Sequence, residues 1–213
     1  MQKVLRKRIL RDLKENLFRY LALCALIIFV MYLVVSIVGA ADTIIIGSEK
    51  QAEKNQLEDG QFGVFVPLTD TETEKLEKKC VKLEKQFYLD FGMEDHSTLR
   101  VYQNREEIDL IALEEGKLAQ TEGEIVLEKR YCEEKNLHVG DSIILADATY
   151  KIVGIGSTPD YDAPLKQTSD TSADSSIFGT AFVTADTYDM LRKSGKSEKT
   201  EEYVYAYRLT GNL

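Results

Sequence analysis

The hydrophobic pattern divides the chain into one long uncharged run near its start and many short apolar blocks after it. Residues Tyr20 to Ala41 include no charged side chain. A helix rises about 1.5 Å per residue, so this run extends roughly 33 Å, enough for a hydrocarbon core of about 30 Å. The pattern therefore predicts one transmembrane helix at residues 20–41.

The segments on either side of the run also read as helices. Residues 1–19 carry apolar side chains on one side and Arg and Lys on the other, which is typical of an interfacial amphipathic helix or of a simple basic flank. Residues 42–60 become steadily more polar and contain no proline, which predicts a stalk helix, weakened at Gly47. We expect the stalk to end at Asp59-Gly60, because glycine accepts the left-handed conformation that ends helices.

Residues 61–213 alternate between strand-like and helix-like patterns. The first half predicts a strand at Gln61–Val66, then a helix that begins with a capping box at Thr69/Glu72 or Thr71/Glu74. A stripe at spacings of four, three and four continues this helix over Leu76, Cys80, Leu83 and Phe87. A strand at Leu99–Tyr102 and an apolar stretch at Ile108–Leu113, closed by Gly116, come next.

The second half is the most regular part of the chain. Residues 123–155 read as strand, short helix with Tyr131 and Cys132, turn, and two strands that pair across residues 146–148. Residues 156–177 predict a long surface loop. The pattern then gives a strand at residues 178–184, a helix at residues 185–192 capped by Thr184, and a strand at residues 203–209. The predicted fold class is α+β: a transmembrane helix with a stalk, followed by a mixed α+β extracytoplasmic domain.

The charge distribution orients the predicted membrane helix. Seven basic and two acidic residues give the first nineteen residues a charge of +5, and the whole chain carries −9, so residues 42–213 carry −14. Basic residues next to a span hold it to the cytoplasmic side, so we expect a cytoplasmic N-terminus and an outer domain at residues 42–213. A signal peptide cleaved near Val38-Gly39-Ala40 is the alternative, but its apolar region would be shorter than this run.

The sequence offers little catalytic chemistry. His96 and His138 stand in no recognisable catalytic frame and are expected on the surface. Four aspartates crowd the long loop but match no cation-binding spacing, so they are interpreted as solvated turn residues: Asp160, Asp162, Asp170 and Asp174. We therefore predict no enzyme activity and no catalytic, cofactor-binding or metal-binding residue. The acidity of the outer domain also argues against nucleic acid as a partner.

The chain has three cysteines, and two of them could form a disulfide. Cys24 lies inside the membrane run, which leaves Cys80 and Cys132 in the outer domain. These two could form a disulfide in an oxidising compartment, but both lie on predicted helices, where they serve equally well as small buried apolar side chains. The sequence leaves the disulfide open.

Several short motifs stand in a fixed order along the chain. At the start, an Arg11-Asp12 and an Arg19-Tyr20 pair lead into the predicted membrane helix. The motifs of the outer part are Ile108–Leu113, Glu115-Gly116-Lys117-Leu118, Gly123-Glu124-Ile125-Val126-Leu127, Leu137-His138-Val139-Gly140-Asp141 and Tyr150–Gly154. The start resembles FtsX-like ABC transporter permeases, and the outer part resembles the MacB-like extracytoplasmic core. Lys117 in place of the usual arginine, and the lack of a proline before Gly123, are departures from that pattern.

The resemblance implies a non-enzymatic permease subunit in a bacterial plasma membrane. Such a subunit pairs with a separate cytoplasmic ABC ATPase, dimerises in the lipid bilayer, and passes ATP-driven movement to its outer domain for export, extraction or control of an envelope partner. It also implies further membrane helices beyond Leu213, so that the chain would be an N-terminal portion. The alternatives are the ligand-binding outer domain of a single-pass membrane sensor, and an anchored adhesion or scaffold domain.

Overall fold

A computed structural model describes residues 11, 14–79, 81–161, 164–167 and 169–210. The chain divides into two compact units, Met1–Lys50 and Gln51–Leu213. The predicted amphipathic helix at residues 1–19 lies largely outside the described residues. The helix α1, Leu17–Lys54, spans 38 residues and buries none of them. By length and composition it is long and apolar enough to cross a membrane, and the predicted helix at residues 20–41 is confirmed.

Helix α1 ends six residues before the predicted end of the stalk, at Lys54. Gln56 takes the left-handed conformation (φ 54°), the N–H of Leu57 bonds to the carbonyl of Ala52 at 2.8 Å, and the N–H of Gln56 bonds to Glu53. These bonds form a Schellman-type end built on a non-glycine residue. Gly60 has a different role: it begins β1, where a Cβ atom would lie 2.7 Å from the Tyr207 hydroxyl.

A small antiparallel sheet in the order β1-β10-β2 forms one layer of the outer domain. Its strands are β1 (Gly60–Val64), β2 (Val81–Lys85) and β10 (Tyr203–Leu209), with α2 (Asp70–Glu77) between β1 and β2. The capping box of α2 is the Thr69/Glu72 one of the two predicted. Tyr205 lies at the centre of the small sheet, buried and stacked on Phe62 with ring centroids 5.6 Å apart.

The predicted helical stripe over residues 76–87 is wrong beyond Glu77. Leu83 lies in β2 opposite Tyr207, and Val81 lies opposite Leu209; Cys80 lies outside the described residues. Val81 and Leu83 also fit the two-residue period of a strand, and β2 supplies one of the two partners that the central strand β10 requires. Tertiary pairing therefore overrides the helical spacing.

A seven-stranded mixed sheet forms the larger layer, with the order β3-β4-β9-β6-β8-β5 and β7 beside β8. From residue 123 onward, the strands of this sheet and the helices beside it lie close to the positions predicted from the sequence. A turn at Ala146-Asp147 joins β7 and β8, one residue shorter than the turn predicted at residues 146–148. The elements are β3 (Tyr88–Gly92), β4 (Thr98–Gln103), β5 (Ala112–Gly116), β6 (Glu124–Glu128), α3 (Lys129–Lys135), β7 (Ser142–Leu145), β8 (Ala148–Ser157), β9 (Phe178–Val183) and α4 (Ala185–Ser194).

The main core lies between one face of the large sheet and the helices α3 and α4. Leu99 and Val101 of β4 alternate with outward-facing residues and pack there with Tyr188 and Leu191 of α4. Cys132 of α3 is a free buried thiol in the same core. The opposite face of the sheet carries Asp90, Arg100 and other polar or aromatic side chains, and this face borders a cleft next to the small sheet.

Removing the N-cap of α4 is expected to lower the free energy of unfolding by about 1 kcal/mol. Thr184 accepts a hydrogen bond from the N–H of Thr187 at 3.3 Å, so Thr184→Ala leaves that donor without its side-chain partner. Urea unfolding of the full chain in detergent, followed by near-UV circular dichroism of the tyrosines, measures the change. Thr184→Ser keeps the hydroxyl and should stay within about 0.3 kcal/mol of the parent; equal losses in both variants would contradict the capping role.

Candidate functional site

The junction segment, residues 55–59, connects α1 to β1 within the second unit. On one side it pairs with the loop that precedes β5. Asn55 Nδ2 donates to the carbonyl of Leu110 at 2.7 Å, and the N–H of Leu110 donates back to the carbonyl of Asn55 at 2.7 Å. The N–H of Asp109 donates to the carbonyl of Gln56 at 3.0 Å. Both Asn55 and Asp109 are buried.

On its other side the junction segment is bonded to β10. The N–H of Asp59 donates to the carbonyl of Tyr207 at 2.9 Å, and the Asp59 carboxylate accepts the N–H of Leu209 at 2.7 Å. The Arg208 guanidinium donates to Gln56 Oε1. The chain that leaves α1 is therefore fixed to both layers of the outer domain within five residues.

A mostly buried cluster of charged residues includes one residue of the junction segment, Glu58. We call Glu58, Arg105, Asp109 and Asp160 the junction cluster. Arg105 donates to Asp160 Oδ2 at 3.0 Å and to the carbonyl of Asp109 at 3.4 Å, and its side chain is only 2% exposed. The Asp109 carboxylate accepts the N–H of Glu58 at 2.8 Å and the amide of Gln86 at 2.6 Å.

The cluster contains more acid than base. Two buried carboxylate oxygens, Glu58 Oε2 and Asp160 Oδ1, have no hydrogen-bond partner, and neither has the buried Nε of Arg105. Desolvation, followed by the charges of Asp109 and Asp160, raises the pKa of Glu58 to about 7. Burial also raises the pKa of Asp109. A proton on Glu58 lowers the excess of negative charge in the cluster. It also turns the Glu58 carboxyl group into a hydrogen-bond donor toward Asp109.

Glu84 of β2 fixes the loop that carries Arg105 and Asp109 of the junction cluster. Its carboxylate accepts the backbone N–H groups of Glu106 at 2.6 Å and Glu107 at 3.1 Å, and also that of Ile108. Charge-assisted bonds of this kind are stronger than neutral ones. The small sheet therefore holds the loop in place through the side chain of Glu84.

A cleft of about 470 Å³ adjoins the cluster, between the small sheet and the polar face of the large sheet. Arg100 of β4 forms part of its wall. The Arg100 guanidinium bonds to both oxygens of Asp90, at 2.7 and 3.0 Å, and lies 4.0 Å from the centre of the Tyr88 ring. Asp160 lines the same cleft, so the cluster and the cleft share one carboxylate.

The structure corrects the interpretation of one loop aspartate. Asp160 is not solvated, since its side chain is only 9% exposed and pairs with Arg105. Asp170 and Asp174 are exposed turn residues as predicted, for Asp174 accepts the N–H of Ser176 at 2.9 Å and Asp170 that of Gln167 at 2.9 Å. Asp162 lies outside the described residues.

His96 and His138 are both exposed, as expected. His138 lies 3.7 Å from the Asp141 carboxylate in the predicted turn. Within the described ranges, no three His, Cys, Asp or Glu side chains are grouped so that they could hold a metal ion. The acidic excess of the junction cluster is therefore not arranged as a metal centre in this part of the chain.

Sequence reasoning did not single out Glu58, Arg105 or Asp109. One signal was available for Asp109, which interrupts the apolar stretch between Ile108 and Leu110. A charged residue inside such a stretch is rarely fully buried without a partner. Arg105, the basic residue closest to that stretch on its N-terminal side, was the candidate partner, but the sequence gave no distance between them.

Comparisons with known proteins identify similar structures but no family. No family model and no curated protein matches the chain. The chain is similar to the periplasmic region of MacB from Actinobacillus actinomycetemcomitans, with 10% identity and a TM-score of 0.38 over 69% of this chain and 67% of that one.

Two further similar structures also come from transport or permease proteins. One is the extracellular domain of the noncanonic ABC-type transporter YknZ from Gram-positive bacteria, with 11% identity and a TM-score of 0.35 over 65% of this chain and 72% of that one. The other is a domain of a protein described as a permease from Porphyromonas gingivalis, with 12% identity and a TM-score of 0.39 over 75% and 71%.

Proposed function

We propose that the chain is part of a permease subunit of an ABC transporter of the FtsX/MacB type. In this proposal α1 crosses the plasma membrane with its basic N-terminal end in the cytoplasm, and residues 42–213 lie outside. The subunit dimerises, pairs with a cytoplasmic ABC ATPase and has no catalytic activity of its own. ATP-driven movement reaches the outer domain through α1 and serves export, extraction or control of an envelope partner.

The observation that carries the proposal is the attachment of α1 to the outer domain. The last turn of α1 belongs to the second unit, and the next five residues are hydrogen-bonded to both of its layers. A displacement of the end of α1 therefore acts on backbone that is fixed, not on a loose linker. The ordered sequence motifs of the FtsX-like resemblance support the same assignment.

A flexible insertion in α1 is expected to abolish the coupling. Seven Gly and Ser residues inserted after Ser48 interrupt the helix with a random coil, while the outer domain keeps its fold. The measurement uses the full chain with the cytoplasmic ABC ATPase that co-purifies with it, reconstituted in nanodiscs. A fluorescent dye is attached at the exposed position 199, through Lys199→Cys in a chain without other cysteines. Its fluorescence reports whether ATP and vanadate change the conformation of the outer domain.

The matched control is a seven-residue helical insertion, Glu-Ala-Ala-Ala-Lys-Ala-Ala, at the same position. Seven residues are close to two full turns, so this control changes length but keeps helix and phase. We expect the ATP-dependent signal to disappear with the flexible insert and to survive with the helical one, and the unfolding midpoint of the outer domain to be the same in both. A full signal with the flexible insert would contradict transmission through α1.

A further inference from the structure

The first strand of the outer domain, β1, lies at an edge of the small sheet. Among the described strands it pairs only with β10, on one side. The chain that follows β1 turns over one face of this sheet: the N–H of Leu68 donates to the Tyr205 hydroxyl at 3.0 Å, and α2 then packs against β2. This path leads away from the outer side of β1, so its backbone N–H and C=O groups there can accept another strand.

The edge carries no charge, although the domain around it is acidic. Residues 60–69 contain no charged side chain, whereas residues 42–213 as a whole carry −14. We call residues 61–66 the edge strip. Within the described part of the second unit, its Phe65 and Val66 are the most exposed large apolar side chains, at 103% and 73%. Exposed apolar side chains beside an unpaired strand are a typical association surface.

The other edge strands of the two sheets are protected against such pairing. Strand β2 carries Lys82 and Lys85, and β3 is covered by the segment before β10, where the N–H of Glu198 donates to the carbonyl of Asp90 at 2.7 Å. Strand β5 carries two glutamates, and β7 has only four residues, with an aspartate on either side of it in the sequence. Charged side chains and short length both oppose edge-to-edge pairing, so β1 is the edge that is open to it.

A second copy of the chain fits this edge best. A partner of opposite charge gains nothing from a neutral strip, whereas two acidic copies meet there without placing like charges against each other. The strip is itself an uncharged extended segment rich in Phe and Val, which is what a strand edge accepts as an added strand. Two copies anchored by α1 in one membrane also present their strips at the same height, and this tethering raises their effective concentration.

We propose that two copies of the chain associate through their edge strips, which pair as antiparallel strands across a twofold axis. The two small sheets then continue into each other, and one residue of the strip faces the same residue of the second copy. Six residues from each copy are far fewer than the roughly 20–30 of a standard interface, so the contact depends on the membrane tether. The inference rests on the proposed dimer and identifies its contact outside the membrane.

Cysteine cross-linking of the full chain in liposomes tests the pairing. Single cysteines are placed in turn at positions 61–66 of a chain without other cysteines and oxidised with copper phenanthroline. Matching Cα atoms separate by about 7 Å along the strand for each residue away from the axis, and a disulfide needs Cα atoms within about 7 Å of each other. We therefore expect one position to cross-link and its neighbours to react far more slowly. Ile144→Cys, an exposed apolar position on the edge strand β7, is the matched control and should stay uncross-linked.

A lysine in the edge strip should then break the contact. Phe65→Lys, or Val66→Lys if position 65 is the one that cross-links, is expected to slow the cross-linking about tenfold, because the paired edges would have to desolvate a charge in each copy. Both side chains are exposed, so neither change disturbs the core. Ile144→Lys should leave the rate unchanged. Equal cross-linking at all strip positions and at position 144, or an unchanged rate with the lysine, would overturn the proposal.

The inference and the proposed function fail in different ways. A strip that stays uncross-linked in liposomes, where only this chain is present, would overturn pairing with a second copy and leave the edge to an extended segment of another protein. If the ATP-dependent signal of the dye at position 199 persists in that case, the coupling proposal stands. A single cross-linked position in the strip, together with no ATP-dependent signal in the parent chain, would confirm the edge pairing and contradict the coupling proposal alone.

Discussion

Replacing Arg105 by methionine is expected to lower the free energy of unfolding by about 3–5 kcal/mol, the usual cost of removing one partner of a buried ion pair. The charge of Arg105 acts on Glu58, Asp109 and Asp160, and its guanidinium bonds directly to Asp160 and to the backbone of Asp109. Without it the cluster keeps three acidic groups and loses its only cation. Methionine fills a similar volume, so the loss reports the charge and its hydrogen bonds more than a cavity.

The measurement is urea unfolding of the full chain in detergent at pH 7.5 and pH 5.5, followed by near-UV circular dichroism. The loss should be smaller at pH 5.5, because protonation of the carboxyl groups lowers the charge that Arg105 normally offsets.

Lys129→Met serves as the control. Lys129 pairs with Glu114 at 2.7 Å, but both side chains are more than 40% exposed, and such surface pairs contribute about 0–1 kcal/mol. A loss below about 1 kcal/mol for Arg105→Met at pH 7.5, equal to that of the control, would show that the cluster is not held by this arginine.

The parts of the fold that sequence reasoning predicted well are those fixed by local chemistry. The uncharged run gave the helix α1, Thr184 gave the start of α4, and the strand pattern with its turn near residues 146–148 gave β7 and β8. In each case the residues that determine the element lie within a few positions of it, so no knowledge of the rest of the chain is needed.

The prediction was wrong where residues far away in the chain determine the secondary structure. Leu83 fits a helical stripe and a strand equally well, and its pairing with Tyr207, more than a hundred residues away, selects the strand. Gly60 resembles a helix C-terminus, but it is needed because the Tyr207 ring passes close to the backbone there. Neither contact leaves a local signal, so the stalk and the first outer helix were both predicted too long.

The candidate site was missed for the same reason. Asp160 lies in a loop rich in Ser, Thr, Asp and Gly, where an aspartate is normally a solvated turn residue. Its burial depends on Arg105, 55 residues away in the chain. The cluster forms only when the loops before β5 and after β8 meet the junction segment, so it is a property of the tertiary structure.

The position of the cluster connects its charge to the proposed mechanism. Glu58 belongs to the junction segment itself, and its N–H bonds to the Asp109 carboxylate at 2.8 Å. A change in the charge of Glu58 therefore acts on the hydrogen bonds that fix the chain between α1 and β1. Protonation strengthens this attachment, and deprotonation places a second buried negative charge beside Asp109.

The stability of the outer domain is therefore expected to fall as the pH rises from 5 to 8. The pKa of Glu58 in the folded state is raised from 4.5 to about 7, so the folded state binds this proton more tightly than the unfolded state does. The resulting stabilisation is complete below about pH 4.5 and is lost as the pH passes 7. At about 1.4 kcal/mol for each pH unit the full effect is roughly 3 kcal/mol, and screening of the half-buried side chain reduces the expected fall to about 1–2 kcal/mol.

The variant Glu58→Gln isolates this contribution, because glutamine keeps the shape of the protonated acid and cannot ionise. We expect it to match the parent at pH 5 and to exceed its free energy of unfolding by about 1–2 kcal/mol at pH 8, as measured by urea unfolding at both values. Glu53→Gln, an exposed position on the last turn of α1, should follow the parent throughout.

Glu124, whose pKa is lowered to about 2 by hydrogen bonds from Lys117 and from the backbone of Gln120, titrates below this window. A parent profile that is flat or rises from pH 5 to 8, or a Glu58→Gln profile that falls like the parent's, would show that Glu58 does not hold this proton, because a group makes the folded state less stable as the pH rises only when its pKa is higher in the folded state than in the unfolded state.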